Sequence, residues 1–286
     1  MSEVVRARGL HKRYGELEAL KSVSFDVGKG AIVGLVGPNG AGKTTALKAV
    51  LGLMHFDGDL EVLGRDPRHG RHDIMNDVCF IADVGVLPRW MTPSELMAYI
   101  EGVHPNFDRD KAEALLRETS IPRHKKIRQL SKGMVTQLHL SVVMAINVQL
   151  LVLDEPTLGL DILYRKTFYD RLLNDYFDSE TSIIISTHQV EEVESLLTHL
   201  LFIDDCQIVL DSAMDELAEI YAEVLVKPDC VEQALALNPI YVRDVIGKKS
   251  MVFEGADKVA LEEVGELHVP TVTDLFVAKM QRGVDR

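Results

Sequence analysis

Cysteine is scarce in this chain. Its three residues, Cys79, Cys206 and Cys230, lie far apart, are odd in number and form no Cys-x-x-Cys pair. This argues against a disulfide framework and a thiolate metal site, and reduced thiols in a reducing compartment are expected. Long apolar runs are lacking too. The longest, Leu138 to Leu153, is interrupted by His139, Ser141, Asn147 and Gln149 and is too short and polar to span a bilayer. The opening MSEVVRARGL has no apolar centre of the kind a signal peptide carries. Any membrane role is therefore expected to be peripheral. Basic charge is in deficit, with 31 Lys plus Arg against 44 Asp plus Glu for a net −13, and residues 211–286 alone contribute −7. A chain this acidic is a poor nucleic-acid binder, so no nucleic-acid partner is expected. Solvated surface is the simplest use of the excess acid.

What is present is an ordinary globular composition, 47% hydrophobic and 26% charged over 286 residues. That length suits one large domain and a small one.

Residues 31–36, AIVGLV, read as a short buried strand. Directly after it come Gly37, Pro38, Asn39, Gly40, Ala41, Gly42, Lys43, Thr44 and Thr45, then ALKAVLGLM at helical spacing. Strand, glycine-rich loop and helix together make the setting of a P-loop. Gly37, Gly40 and Gly42 let backbone N–H groups turn inward around phosphate oxygens. Lys43 brings a point charge toward the β- and γ-phosphates, and Thr44 offers a hydroxyl to Mg²⁺. The helix N-terminus adds partial positive charge.

Hydrolysis further requires a metal anchor and a positioned water. The apolar run Leu150 to Leu153 ends in Asp154 and Glu155, at the strand end where open α/β sheets place their ligands. Asp154 suits Mg²⁺ held through a water, and Glu155 suits orienting or deprotonating the attacking water. A second run, Ser182 to Ser186, is followed by Thr187 and His188. An imidazole there reports on the γ-phosphate, although a His beside a strand also serves structure alone.

The run RGLHKRYGELEALKSVSFDVGKGAIVGLVGPNGAGKTTALKAVLGL, followed by QLSKGM, LLVLDEPTLGLD and ISTH, resembles an ATP-binding cassette (ABC) ATPase over residues 1 to about 210. The resemblance implies an α/β P-loop NTPase fold of ABC type, with an N-terminal antiparallel β part and a helical subdomain over about 84–147. It makes Tyr14 the aromatic that stacks on adenine, Ser131, Lys132, Gly133 and Met134 the family signature, and Asp161 the close of the D-loop at the dimer interface. It further implies ATP and Mg²⁺ as cofactors, and Lys43, Glu155 and His188 as catalytic residues. A second ATPase subunit, homomeric or heteromeric, would pair head to tail with this one, and a separately encoded transmembrane permease would be the membrane partner. The place of work would be the cytoplasmic face of the membrane.

The chain departs from the family in two places. No glutamine precedes Gln129, whereas the family usually carries one between P-loop and signature. Asp83 stands nearest that place, either to accept from a metal-bound water or to cap the following turn. In the signature, Lys132 stands where glycine is usual and Met134 where glutamine is usual. Lys132 either reaches a triphosphate or lies along the surface with its ammonium in water.

Thr92, Pro93 and Glu95 fit a capping box that opens the helical part. Val84 to Met91, with the only tryptophan, Trp90, is a candidate contact surface, the alternative being that Trp90 packs inside. The Arg68 to His72 run reads as a loop, and so does the basic stretch 122–126. Residues 211–286 read as a small C-terminal α/β extension. In it YAEVLV and KKSMVFEG are strands around a helical VEQALAL, and the ending TVTDLFVAKMQ resembles that of exporter ATPases. The expected function is the ATPase subunit of an ABC exporter. The alternative is a soluble or regulatory ABC ATPase with weak turnover and no transport role.

Overall fold

The computed structural model describes residues 3–81, 87–158, 162–178 and 180–281. The first two strands, β1 (Glu3–Tyr14) and β2 (Leu17–Gly28), alternate buried and exposed side chains, the pattern of an antiparallel pair with one wet face. By contrast, all five residues of β3 (Ile32–Val36) are buried. Helix α1 (Lys43–Val50) and strand β4 (Asp57–Val62) follow, and β4 completes a three-stranded sheet in the order β2-β1-β4. Helix α2 (Pro67–Ile74) takes up the Arg68 to His72 run, so that stretch is helix where a loop was expected. Its start is set by Asp66, whose carboxylate accepts the Arg68 N–H, and by Pro67 in the first turn. The local cap outweighs the poor helix propensity of the His and Gly that follow.

Strand β5 (Val78–Ile81) leads to the helical part: α3 (Pro93–Val103), α4 (Arg109–Arg117) and α5 (Lys132–Val143). The capping box of α3 is formed in both directions, Glu95 N–H to Thr92 Oγ1 at 3.2 Å and Thr92 N–H to Glu95 Oε2 at 2.7 Å. Strand β6 (Leu150–Asp154), helix α6 (Ile162–Arg171), strands β7 (Ser182–Thr187) and β8 (His199–Asp204), and the antiparallel β9 (Gln207–Ala213) complete a six-stranded sheet. Its order is β5-β6-β7-β3-β8-β9.

The central strands read as continuous apolar runs because both faces of this sheet are covered. Ile183 and Ile185 of β7 face the core built with α3 to α6, and Ile184 faces the core under α1 and the three-stranded sheet. Leu151 and Leu153 of β6 divide from Leu150 and Val152 in the same way. Each such side chain, fully buried, is worth about 1.5–3 kcal/mol, and a one-residue slip would send it to the wrong core.

Helix α7 (Met214–Ile220) leads to a second, antiparallel sheet of β10 (Tyr221–Val226), β11 (Tyr241–Val245), β12 (Lys248–Glu254) and β13 (Gly265–His268), in the order β11-β12-β10-β13. Helices α8 (Val231–Ala236) and α9 (Lys258–Val264) close a small core of their own on it. The last helix, α10 (Val272–Gln281), returns to the large core, where Val272 and Leu275 are buried and Phe276 meets the Phe202 ring edge-on at 5.2 Å. Glu194 accepts the Val272 N–H at the start of α10, a favourable place for a carboxylate. Arg243 of β11 binds Asp274 of the same helix, tying it to the second sheet. No helix among the described residues is long and apolar enough to cross a membrane.

Candidate functional site

Parallel register brings three segments to one edge of the large sheet. Val36 lies beside Thr187, and Asp154 beside Ser186, so the loop after β3, the Asp154–Glu155 pair and His188 emerge side by side. The glycines of the loop are demanded by this crowding. A Cβ on Gly37 would sit 2.2 Å from the Ile203 carbonyl oxygen. Gly42 has φ +106°, and a Cβ there would sit 2.7 Å from the Ala19 oxygen.

Gly42 caps α1 without any side-chain hydrogen bond, so the first-turn N–H groups of α1 have no intrahelical acceptor and meet the positive end of the helix dipole. Lys43, only 6% exposed, donates from Nζ to the Gly37 oxygen at 2.7 Å and to the Pro38 oxygen at 3.2 Å. Its Nζ also lies 3.4 Å from Glu155 Oε1. Thr44 is exposed, and its hydroxyl has no partner among the described residues. Together these groups form a cradle for an anion.

Glu155 stands between two partners. Its Oε2 lies 2.8 Å from His188 Nδ1, while Oε1 is buried and accepts no hydrogen bond, facing Lys43 only. Its backbone is left-handed, φ +49°, which is strained for a residue with a side chain. Asp154 is buried and accepts from the Ser186 hydroxyl at 2.5 Å. The segments after Glu155 and His188 are braced on α6. Thr157 Oγ1 lies 3.3 Å from Tyr169 Oη and donates to Glu192, while Arg165 donates to Gln189 and Glu192. Burial pushes the Tyr169 hydroxyl well above the usual phenol range, so it stays protonated.

The cleft over this edge measures about 680 Å³. Pro38 to Thr45 and Glu155 line it, together with Tyr14, Leu17, Glu18, Ala19, Asp204, Asp205 and Cys206. Tyr14 is half exposed, with the Lys12 ammonium 4.9 Å from its ring centroid. An aromatic platform and an anion cradle in the same cleft suit a nucleotide polyphosphate.

The described residues of the cleft include none of Ser131, Lys132, Gly133 or Met134. Those four open α5, where the Ser131 hydroxyl accepts the Met134 N–H at 3.3 Å, and Ser131 and Lys132 are exposed. Trp90 is 67% exposed, so it does not pack inside. Asp83 and Asp161 lie outside the described residues, as do Val84 to Val86. Three features escaped sequence reasoning: Ser186, the Arg165–Glu192 brace, and the acidic residues Glu18, Asp204 and Asp205 that line the cleft. Ser186 gave no signal because it closes an apolar run, where a serine reads as a strand end.

A profile described as ABC transporter matches residues 20–158. The Nod factor export ATP-binding protein I of Burkholderia orbicola (strain AU 1054) is 34% identical over 225 residues, which span 74% of this chain and 71% of that protein. The chain belongs to the ABC transporter ATP-binding family. Its ABC relative YtrB of Bacillus subtilis (strain 168), an ABC transporter ATP-binding protein, is 28% identical over 77% of this chain and 76% of its own length. A solved ATP binding subunit of an ABC transporter superposes with a TM-score of 0.67 at 25% identity, over 76% of this chain and 92% of that one. The fold class is thus that of an ABC ATPase, and the activity is ATP binding and hydrolysis as an ABC transporter subunit.

Proposed function

We propose that this ABC subunit powers an exporter through ATP-driven, head-to-tail pairing of two ATPase subunits. Residues 1–210 carry the ATPase and 211–286 form an appended domain. The observation that carries the reading is Glu155, held between Lys43 and His188 at the mouth of the phosphate loop. Its Oε1, buried and accepting no hydrogen bond, is the atom that takes a proton from an attacking water. His188 fixes the other oxygen. Lys43 and the first-turn N–H groups of α1 hold the phosphates, while Tyr14 stacks on the base.

The hard oxygen donors on hand, the Thr44 hydroxyl and the Asp154 carboxylate, fit Mg²⁺, which accepts few protein ligands beside phosphate and water. When bound it would draw negative charge away from the phosphate oxygens. Ser131, exposed at the N-cap of α5, and Gly133, half-buried in its first turn, lie apart from the cleft and complete the site of a second subunit. Export is supported by the Nod factor export relatives, and the membrane partner is a separately encoded permease at the cytoplasmic face.

The test is Glu155→Gln. It should cut steady-state turnover by about 10²–10⁴-fold while ATP still binds, and accumulate a dimer by light scattering. Unchanged hydrolysis would refute the role of Glu155, and a monomer with ATP bound would refute the dimer.

A further inference from the structure

Ser186 is a polar side chain with no exposure at all, directly after the three isoleucines at the centre of β7. An unbonded hydroxyl there would cost about 1–3 kcal/mol. Its oxygen is used twice. Oγ donates to Asp154 Oδ1 at 2.5 Å and accepts the Glu155 N–H at 3.1 Å. The Ser186 carbonyl shares that same N–H, also at 3.1 Å. Glu155 is the residue whose φ is +49°, a conformation that side-chain-bearing residues hold only when their surroundings over-determine it. Both acceptors that pin its amide belong to Ser186. One residue, through its hydroxyl and its carbonyl, therefore holds the Asp154 carboxylate and the backbone turn that aims Glu155 between Lys43 and His188.

We propose that Ser186 is a positioning residue for ATP hydrolysis. Its hydroxyl commits one oxygen of Asp154, leaving the second for a divalent cation, and locks Glu155 in its left-handed turn. This rests on the reading of Asp154 as the metal anchor. Partners of this kind, one bond behind a metal ligand, change metal affinity or activity by about 10–100-fold when removed.

The experiment compares the full chain with Ser186→Ala, Ser186→Thr and Asp154→Asn. It measures fluorescent ADP binding in Mg²⁺ and in EDTA, and kcat and KM for ATP. For Ser186→Ala, ADP affinity in EDTA should stay within twofold. The gain in affinity that Mg²⁺ confers should shrink about tenfold, and kcat should fall about 10–100-fold with KM changing less. Ser186→Thr, which keeps the hydroxyl, should recover both. Should Ser186→Ala fail to fold, Ser186→Cys replaces the strong donor by a weak one at similar volume and carries the same expectations. A Ser186→Ala protein with an unaltered Mg²⁺ gain and kcat would overturn the proposal. So would equal losses in Ala and Thr variants together with weaker ADP binding in EDTA, which would make Ser186 a packing residue only. If Asp154→Asn loses the Mg²⁺ gain and Ser186→Ala keeps it, only Ser186 is misassigned. If both keep it, the reading of Asp154 fails and the proposal with it.

Discussion

Helices α1 and α5 both begin with a lysine, and the two could hardly be treated more differently. Lys43 opens α1 and is buried, its ammonium held by two loop carbonyls and faced by Glu155. Lys132 opens α5 and is exposed, with no partner among the described residues. A cation in the first turn opposes the helix dipole by about 0.3–1 kcal/mol in either place. At α1 that cost is offset by partners from the same chain. At α5 nothing described here offsets it. The difference is between a lysine partnered by its own fold and one left facing outward, which is the asymmetry the proposed head-to-tail dimer needs.

Removing Lys43 should break the finished half. Lys43→Ala takes away the buried donor and strands Glu155 Oε1 without its cation, so ATP affinity should fall by about 10²–10³-fold in equilibrium titration. A loss below tenfold would mean that the loop N–H groups alone hold the phosphates.

Removing Lys132 should act on pairing and leave the single subunit's cleft alone. With Lys132→Ala in a Glu155→Gln background, the ATP-bound dimer should dissociate about tenfold more readily, and its salt dependence should flatten. Unchanged dimerisation at low and high salt would reduce Lys132 to a solvated side chain.

The smallest effect concerns the stability contributed around α5. His139 of α5 is held neutral by burial, its imidazole pushed down to about 4 from an ordinary 6.5. The unfolded chain therefore takes up the proton first, and stability falls as pH drops from about 6.5 toward 4. Between pH 7 and 5.5 the loss should be about 1 kcal/mol in urea unfolding, and His139→Gln should remove most of that slope. An equal slope in both proteins would place the acid sensitivity elsewhere.

Much of the nucleotide end was legible because its signals are local. Consecutive glycines, a lysine and a hydroxyl after an apolar run specify loop and helix together, and the Thr92–Glu95 box closes within four residues. Composition misled at Arg68 to His72, where histidines, arginines and a glycine suggested a loop but Asp66 and Pro67 start a helix. Strands β11 and β13 went unread. Their residues are largely exposed or half-buried on the edges of the small sheet, so they show little apolar alternation. The ending 271–281 resembled an exporter tail, but nothing in it announced that Phe276 would lie on Phe202.

Residue order alone settled the presence of a glycine-rich loop between strand and helix, of paired carboxylates after a buried strand, and of a histidine after another, because each is a short pattern with its own local physics. Only tertiary structure decided that β6, β7 and β3 stand in parallel register, so that Asp154 meets Ser186 and Glu155 lies between Lys43 and His188. These partners are separated by 32 to more than 100 positions in the chain. Their meeting depends on which face of the sheet each buried side chain takes, and that choice is made by the packing of both cores at once.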